Sequence, residues 1–261
     1  MATDPWQLPF DKAIAYFLDK LQIPTERWDE IEVDLRDYAF TVAGVTNADF
    51  LTDLYKAVQS ELDQGKGFQE FTKQVEPAIA QYGWRPDNKP WRLNLIFSQN
   101  ITTAYAEGRR QQLDTPQMLR DRPYRMWRHR DSRDHRPAHK ALDGKVFLAD
   151  SDFYRSVRFP AGFGCKCGWF SLSEREMKQR GLSVSEPPAD TLAYRDRQTG
   201  KTQRVPAMAI DGKLYPVVDP GFMRSGDANQ NRQQVVEQLL ERLDPKWRSQ
   251  VEAQLSDRLS G

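Results

Sequence analysis

Residues 128–145 read RHRDSRDHRPAHKALDGK, and residues 159–170 read FPAGFGCKCGWF. Together they hold all three histidines of the chain, His129, His135 and His139, and both cysteines, Cys165 and Cys167. In the first stretch, RPAHKALDG has a proline where a helix takes its first turn and a glycine just past where it would end. That predicts a short helix carrying His139, with His135 four residues earlier, so that both rings can converge on one point. In the second stretch, Gly162, Gly164 and Gly168 let the backbone turn tightly. A turn puts both sulfurs on one side, whereas an extended Cys-Lys-Cys sends them to opposite faces. Two imidazoles and two thiolates form a tetrahedral donor set suited to Zn²⁺. Such an ion would clip the helix to the glycine loop in a region otherwise poor in core residues. The candidate ligands are therefore His135, His139, Cys165 and Cys167. His129 reads as a surface residue, and Asp131 and Asp134 as carboxylates able to hold imidazole N–H groups from behind. A plainer alternative stays open, with hydrogen-bonding histidines in a basic segment and cysteines packed as small hydrophobes.

Upstream of this region the pattern is helical. Phe10, Ile14, Phe17, Leu18 and Leu21 share one helix face. Phe50, Leu51, Leu54, Val58 and Leu62 share another, with Asn47 as cap and Gly65 as stop. GFQEFTKQVEPAIAQYGW predicts a third helix that Pro77 bends or divides. PWRLNLIFSQNITTAYAEGRRQQL predicts a long fourth helix with Pro90 in its first turn. Downstream, KVFLA predicts a strand and SEREMKQRG a helix between Ser173 and Gly181. TLAYRDRQTGKTQRVPAMAIDGKLYPVV predicts two hairpins turning at Thr199-Gly200 and Asp211-Gly212. From Asn229 onward, two polar amphipathic helices break near Pro245, each with a narrow apolar line suited to docking. The fold class is therefore α+β, with a helical part over 1–118, a loop-rich part with small β-hairpins over 119–226 and a helical tail over 227–261.

The loop-rich part opens with a basic run, Arg120, Arg122, Arg125, Arg128, Arg130, Arg133, Arg136 and Lys140, interleaved with Tyr124 and Trp127. This is the texture of a phosphate-backbone contact, of an arginine–carboxylate network in an assembling protein, or of a solvated face. No groove-reading module accompanies it, so base reading is not expected. The net charge of +1 over 261 residues gives no global basic field, so nucleic acid would have to meet a local patch. No apolar run approaches the roughly 20 residues of a membrane span, and no secretion signal is read at the start. Two cysteines one residue apart make no disulfide framework. An enzymatic reading needs an open metal position and a base. His139, Cys165 and Cys167 with Asp131 fill that parts list for a zinc-dependent nuclease or hydrolase, whereas a closed four-ligand ion favours structure.

The order YRMWRHRDSRDHRPAHKALDGKVF, FPAGFGCKCGWFSLS, VVDPGFMRSG resembles the phage Mu F-like minor head proteins, the phage head morphogenesis family. The pieces that match are Asp131-Ser132-Arg133, Arg136-Pro137-Ala138-His139, Leu142-Asp143-Gly144 and Cys165-Lys166-Cys167. Asn100, Ala104, Tyr105 and Arg109 stand in familiar places upstream, and the likeness runs from about Phe40 to Gly226. Three departures stand out. One extra residue precedes the Arg-Pro-x-His, Lys166 replaces an arginine, and GFMRSG lacks the family's Asp-Tyr-Asn-Pro, so no role is carried over to that loop. Some family members place cysteines where this chain has Arg136 and His139, which supports His139 as a ligand. The resemblance implies a non-enzymatic structural protein of the virion, inside the phage head near the portal and in the host cytoplasm during assembly. Its partners would be portal, capsid or scaffolding proteins and packaged double-stranded DNA, with no membrane and no small-molecule substrate. Residues 119–226 would then be the head-morphogenesis core, with structural Zn²⁺.

Overall fold

The computed structural model describes residues 10–27, 30–31, 37–130, 135–195, 200, 202–222, 236–237, 240–241, 243 and 245–260. Asp131, Arg133, Asp134, Thr199 and most of the first expected tail helix lie outside the described residues. Helices and small sheets combine as α+β. The chain divides into two compact units, one of Met1–Phe10, Ile14–Ile101 and Asp227–Gly261, the other of Asp11–Ala13 and Thr102–Gly226. The division falls after Ile101 and after Gly226.

The helices of the first unit form where periodicity predicts, except that the first stops at Leu18, which is exposed, and leaves Leu21 in a strand. It contains α1 (Asp11–Leu18) from Ile14 onward, β1 (Leu21–Gln22), β2 (Ala39–Phe40), α2 (Ala48–Gln64), α3 (Phe68–Tyr82) and the first part of α4 (Lys89–Leu113). Asn47 Oδ1 accepts from Phe50 N, and Gly65 takes the left-handed conformation that ends α2. Pro77 lies inside one continuous α3 instead of dividing it. Phe17, Phe40 and Tyr55 pack ring against ring, and the Tyr55 hydroxyl donates to the Phe17 and Leu18 carbonyls at the end of α1. That bond satisfies acceptors a helix end leaves without partners. The C-terminal helix, Pro245–Ser260, starts at the predicted break. Its fully buried Val251 joins Leu21, Ile23, Ile31 and Ala39, with Val236, Leu240, Leu243 and Leu255 around them. Gln254 exchanges hydrogen bonds with the Gln22 backbone. The narrow apolar line of the tail thus completes this core.

The second unit adds α5 (Pro116–Asp121), β3 (Tyr124–Arg128), α6 (Pro137–Ala141), β4 (Val146–Leu148), α7 (Asp152–Ser156), β5 (Gly168–Leu172), α8 (Glu174–Arg180), β6 (Asp190–Arg195), β7 (Thr202–Ile210) and β8 (Lys213–Pro216). Strand order is β4-β3-β5 in one antiparallel sheet and β6-β7-β8 in the other. The β7–β8 turn places Asp211 and Gly212 at φ 51° and 75°, the positive-φ pair that Asp-Gly favours. Ser173 and Glu176 form a reciprocal capping box on α8. This unit is not poor in core residues. Trp127, Phe147, Phe153, Tyr154, Phe159 and Trp169 form one buried aromatic cluster. Those rings are spread over strands, short helices and loops, so no single periodic stripe announces them.

Candidate metal centre

The centre is assembled by strand pairing and by two turns. Antiparallel pairing of β3 with β5 matches Trp127 with Trp169 and Arg128 with Gly168. Just past the last pair of that ladder, His129 Nδ1 lies 3.3 Å from Cys167 Sγ. On the far side, Pro137 opens α6 and places His139 within it, 1% exposed. The Cys165 amide donates to the Gly162 carbonyl, and Gly164 has φ 69°, so the glycine stretch turns as predicted and both sulfurs face inward. His139, Cys165 and Cys167 bring their ligand atoms within 4.8 Å of one another, all buried. His139 Nδ1 lies 3.7 Å from Cys165 Sγ and 3.6 Å from Cys167 Sγ. A tetrahedral zinc with Zn–S of about 2.3 Å and Zn–N of about 2.0–2.1 Å has N···S edges of about 3.6 Å. The donor types and their spacing therefore fit such an ion.

The surroundings act differently on the three groups. His139 Nε2 is 2.8 Å from the Val217 carbonyl. That acceptor fixes the proton on Nε2 and leaves the Nδ1 lone pair facing both sulfurs. The thiols share a hydrogen bond, which pulls the Cys165 thiol well below its ordinary range, against burial and with help from His139. The same bond, with burial, pushes the Cys167 thiol up, while the Trp127 indole N–H and the Arg130 backbone N–H favour its thiolate. Trp127 Nε1 is fully buried without another hydrogen-bond partner. An indole N–H beside a sulfur is satisfied best when that sulfur carries charge.

His135 is placed differently from the expectation. It is exposed, and its Nδ1 lies 2.7 Å from His129 Nε2, outside the group of three. His129, expected on the surface, is half-buried with Nδ1 3.3 Å from Cys167 Sγ. Burial, then the neighbouring His135 charge, lowers the His129 pKa. Among the described residues no carboxylate joins the cluster.

The stretch Val217–Phe222 closes over the centre. Besides the Val217 carbonyl, Asp219 accepts from Arg136 Nε at 3.2 and 3.0 Å and from Arg136 Nη2 at 2.6 Å, while Nη2 also donates to the Phe163 carbonyl. Asp219 N donates to the Ala161 carbonyl, and Phe222 packs edge-on against Phe163. A Cβ on Gly162 would land on the Asp219 carboxylate and the Arg136 guanidinium, so a larger residue there would push that pair aside. Sequence reasoning singled out VVDPGF as a motif piece but gave Asp219 no partner.

The basic run has several fates. Arg125 is fully buried, its guanidinium donating to the carbonyls of Leu113, Arg122 and Tyr124. It cannot face DNA or another protein, and it leaves the outward-facing set. Arg122 bonds to Ser171 and pairs with Glu176 at 2.6 Å, Arg136 holds Asp219, and Arg128 pairs with Asp143 at 3.4 Å while half exposed. Arg120, Arg130 and Lys140 are exposed. A groove of about 660 Å³ is lined by Arg109, Arg122, Arg128, Arg130 and Arg180, with half-exposed Phe170 among them.

Comparison with known proteins agrees with this arrangement of motifs. The family model described as phage Mu protein F-like matches residues 52–170, from α2 through both cysteines. A protein of Escherichia phage Mu named "Putative capsid assembly protein F" is 30% identical over 94% of this chain and 61% of its own length. The similarity is to the Mu F-like family, and it extends over nearly the whole of this chain. The Mu-like prophage FluMu F protein of Haemophilus influenzae is 30% identical over 77% of this chain and 51% of its own length. This chain thus spans between half and two thirds of the curated relatives it matches. No solved structure matches it. No helix among the described residues is long and apolar enough to cross a membrane.

Proposed function

We propose that this chain acts in phage head morphogenesis as a structural, non-catalytic component of the virion, inside the head near the portal, and that His139, Cys165 and Cys167 hold a structural Zn²⁺ there. The single observation that carries the assembly role is the similarity to a protein named for capsid assembly over nearly the whole of this chain. The donor set carries the metal. Its spacing fits a tetrahedral ion, and its three donors are all buried, which favours a closed structural site over a hydrolytic one. In this reading the ion ties α6 to the turn before β5, and the Arg136–Asp219 pair closes the segment after β8 over both. The exposed Arg120, Arg130 and Lys140, with the arginine-lined groove, face an acidic portal or capsid surface or the phosphates of packaged DNA during packaging or ejection.

The test is complementation of a phage or prophage carrying a disrupted copy of this gene, counting filled heads by electron microscopy. Wild type restores them, and Cys165→Ser does not. Full restoration by Cys165→Ser sinks the metal part of the reading. Normal heads without any copy sink the assembly role. Incubating purified protein with DNA and divalent metal leaves the DNA intact; cleavage abolished by His139→Ala would establish the nuclease alternative instead.

A further inference from the structure

A buried zinc knot needs four donors, and the compact group supplies three. The sequence pointed to His135 because it lies four residues before His139, just ahead of the short helix. The observed sheet points elsewhere. The β3–β5 ladder sums to the same register at every pair, Tyr124 with Leu172, Met126 with Phe170 and Arg128 with Gly168. One step beyond, it places His129 next to Cys167 as the chains leave the sheet, and their Nδ1 and Sγ stand 3.3 Å apart. That is close to the N···S edge of about 3.6 Å that a shared tetrahedral zinc gives.

We infer that His129, not His135, is the fourth ligand of the centre, and that His135 is its positioning residue. The inference rests on the metal reading proposed above. His129 and His139 are served by the same logic. Each has its Nε2 next to an acceptor, His135 Nδ1 at 2.7 Å for one and the Val217 carbonyl at 2.8 Å for the other. Each is thereby set to keep the proton on Nε2 and present Nδ1 to sulfur. Coordination draws His129 Nδ1 from its place beside Cys167 onto the point that the other three ligand atoms share. The backbone supports this placement, because the His129 amide donates to Asp143 Oδ1 at 2.8 Å, and Asp143 also pairs with Arg128. His135 is exposed and bonded through the very nitrogen that faces His129. It is therefore arranged to orient a ligand from outside.

The test titrates Co²⁺ into the full chain freed of bound metal and follows the visible absorption, which is intense for a tetrahedral ion and collapses when water raises the coordination number. Wild type gives the tetrahedral bands with charge transfer from two thiolates. His129→Ala loses the tetrahedral bands and weakens binding by ~100-fold or more, whereas His135→Ala keeps them and weakens binding by ~10-fold. Because His129→Ala can also loosen the fold, His129→Cys serves as the second variant: it restores the tetrahedral bands and adds the charge transfer of a third thiolate. Unchanged affinity and spectrum in His129→Ala overturn the assignment while leaving the metal reading standing, and so does a collapse caused by His135→Ala in place of His129→Ala. Failure of the wild-type chain to take up Co²⁺ or Zn²⁺ removes the metal reading and this inference with it.

Discussion

The two units fold by different means. In the first, apolar residues at helical spacing turn one face of each helix inward, and the aromatic trio Phe17, Phe40 and Tyr55 locks three elements together. Short strands add Leu21, Ala39 and Phe40 to the core those faces form. The second unit also has a core, centred on Trp127 and Trp169, but its loops are fixed by polar staples. Arg110 donates to the carbonyls of Tyr154, Arg155 and Val157, Arg158 pairs with the buried Glu107 at 3.1 Å, and Arg125 caps three carbonyls. Tyr154 lies under the Arg110 guanidinium and donates to Asp114, with burial, abetted by Asp114 against Arg110, pushing its pKa up to about 12. Irregular backbone brings its carbonyls inside, and each needs a donor. Arginine, always charged and carrying five N–H groups, supplies several at once. A chain rich in surface-looking arginines can therefore be reading out its own loops.

Metal removal tests this contrast with the largest expected effect. Coordination contributes on the order of 10 kcal/mol in small zinc domains. A chelator is expected to raise hydrogen exchange across peptides from 124–172 and leave those from α2 and α3 unchanged. Equal loosening of both, or of neither, breaks the contrast. Next comes Arg125→Met, which removes the donor to three carbonyls and is expected to destabilise by roughly 3 kcal/mol or more in denaturant titration. A neutral result would put Arg125 back with the surface residues. In the first unit, Val251→Ala is expected to cost about 2 kcal/mol through lost burial alone. No effect would mean that the tail does not complete that core. The smallest is Ser173→Ala, about 1 kcal/mol from one lost cap. Its partner Glu176 is held down to about 2, first by the Ser173 backbone N–H and then by Arg122. A carboxylate depressed on folding stabilises above its unfolded pKa and ceases to do so as pH falls through the folded value. The destabilisation caused by Glu176→Gln should therefore be complete above about pH 4.5 and vanish toward pH 2, as thermal melts across that range would record.

This contrast also explains what the sequence could convey. The helices, the Asn47 and Ser173 caps, the Asp211-Gly212 turn and the tight turn around Gly164 were legible because each rests on local rules. The group of His139, Cys165 and Cys167 was legible because its residue types are scarce and clustered. The approach of His129 to Cys167 was not, because β3 and β5 lie about forty residues apart and YRMWR, with two arginines in five positions, lacks the alternation of a half-buried strand. Met126 and Trp127 are both buried in this central strand, and Arg125 hides its charge against carbonyls. Without that strand, the short separation from His139 favoured His135 over His129. The buried Arg125 and the Arg136–Asp219 pair were hidden for the same reason, since both depend on contacts between distant segments.

The most direct measurement is elemental analysis of the full chain purified without chelator, together with Cys165→Ser and His139→Ala. One zinc per chain in the parent and loss of it in both variants is the predicted result. A parent that is folded by circular dichroism yet carries no metal, or variants that keep a full equivalent, would contradict the claim that these side chains meet to hold an ion.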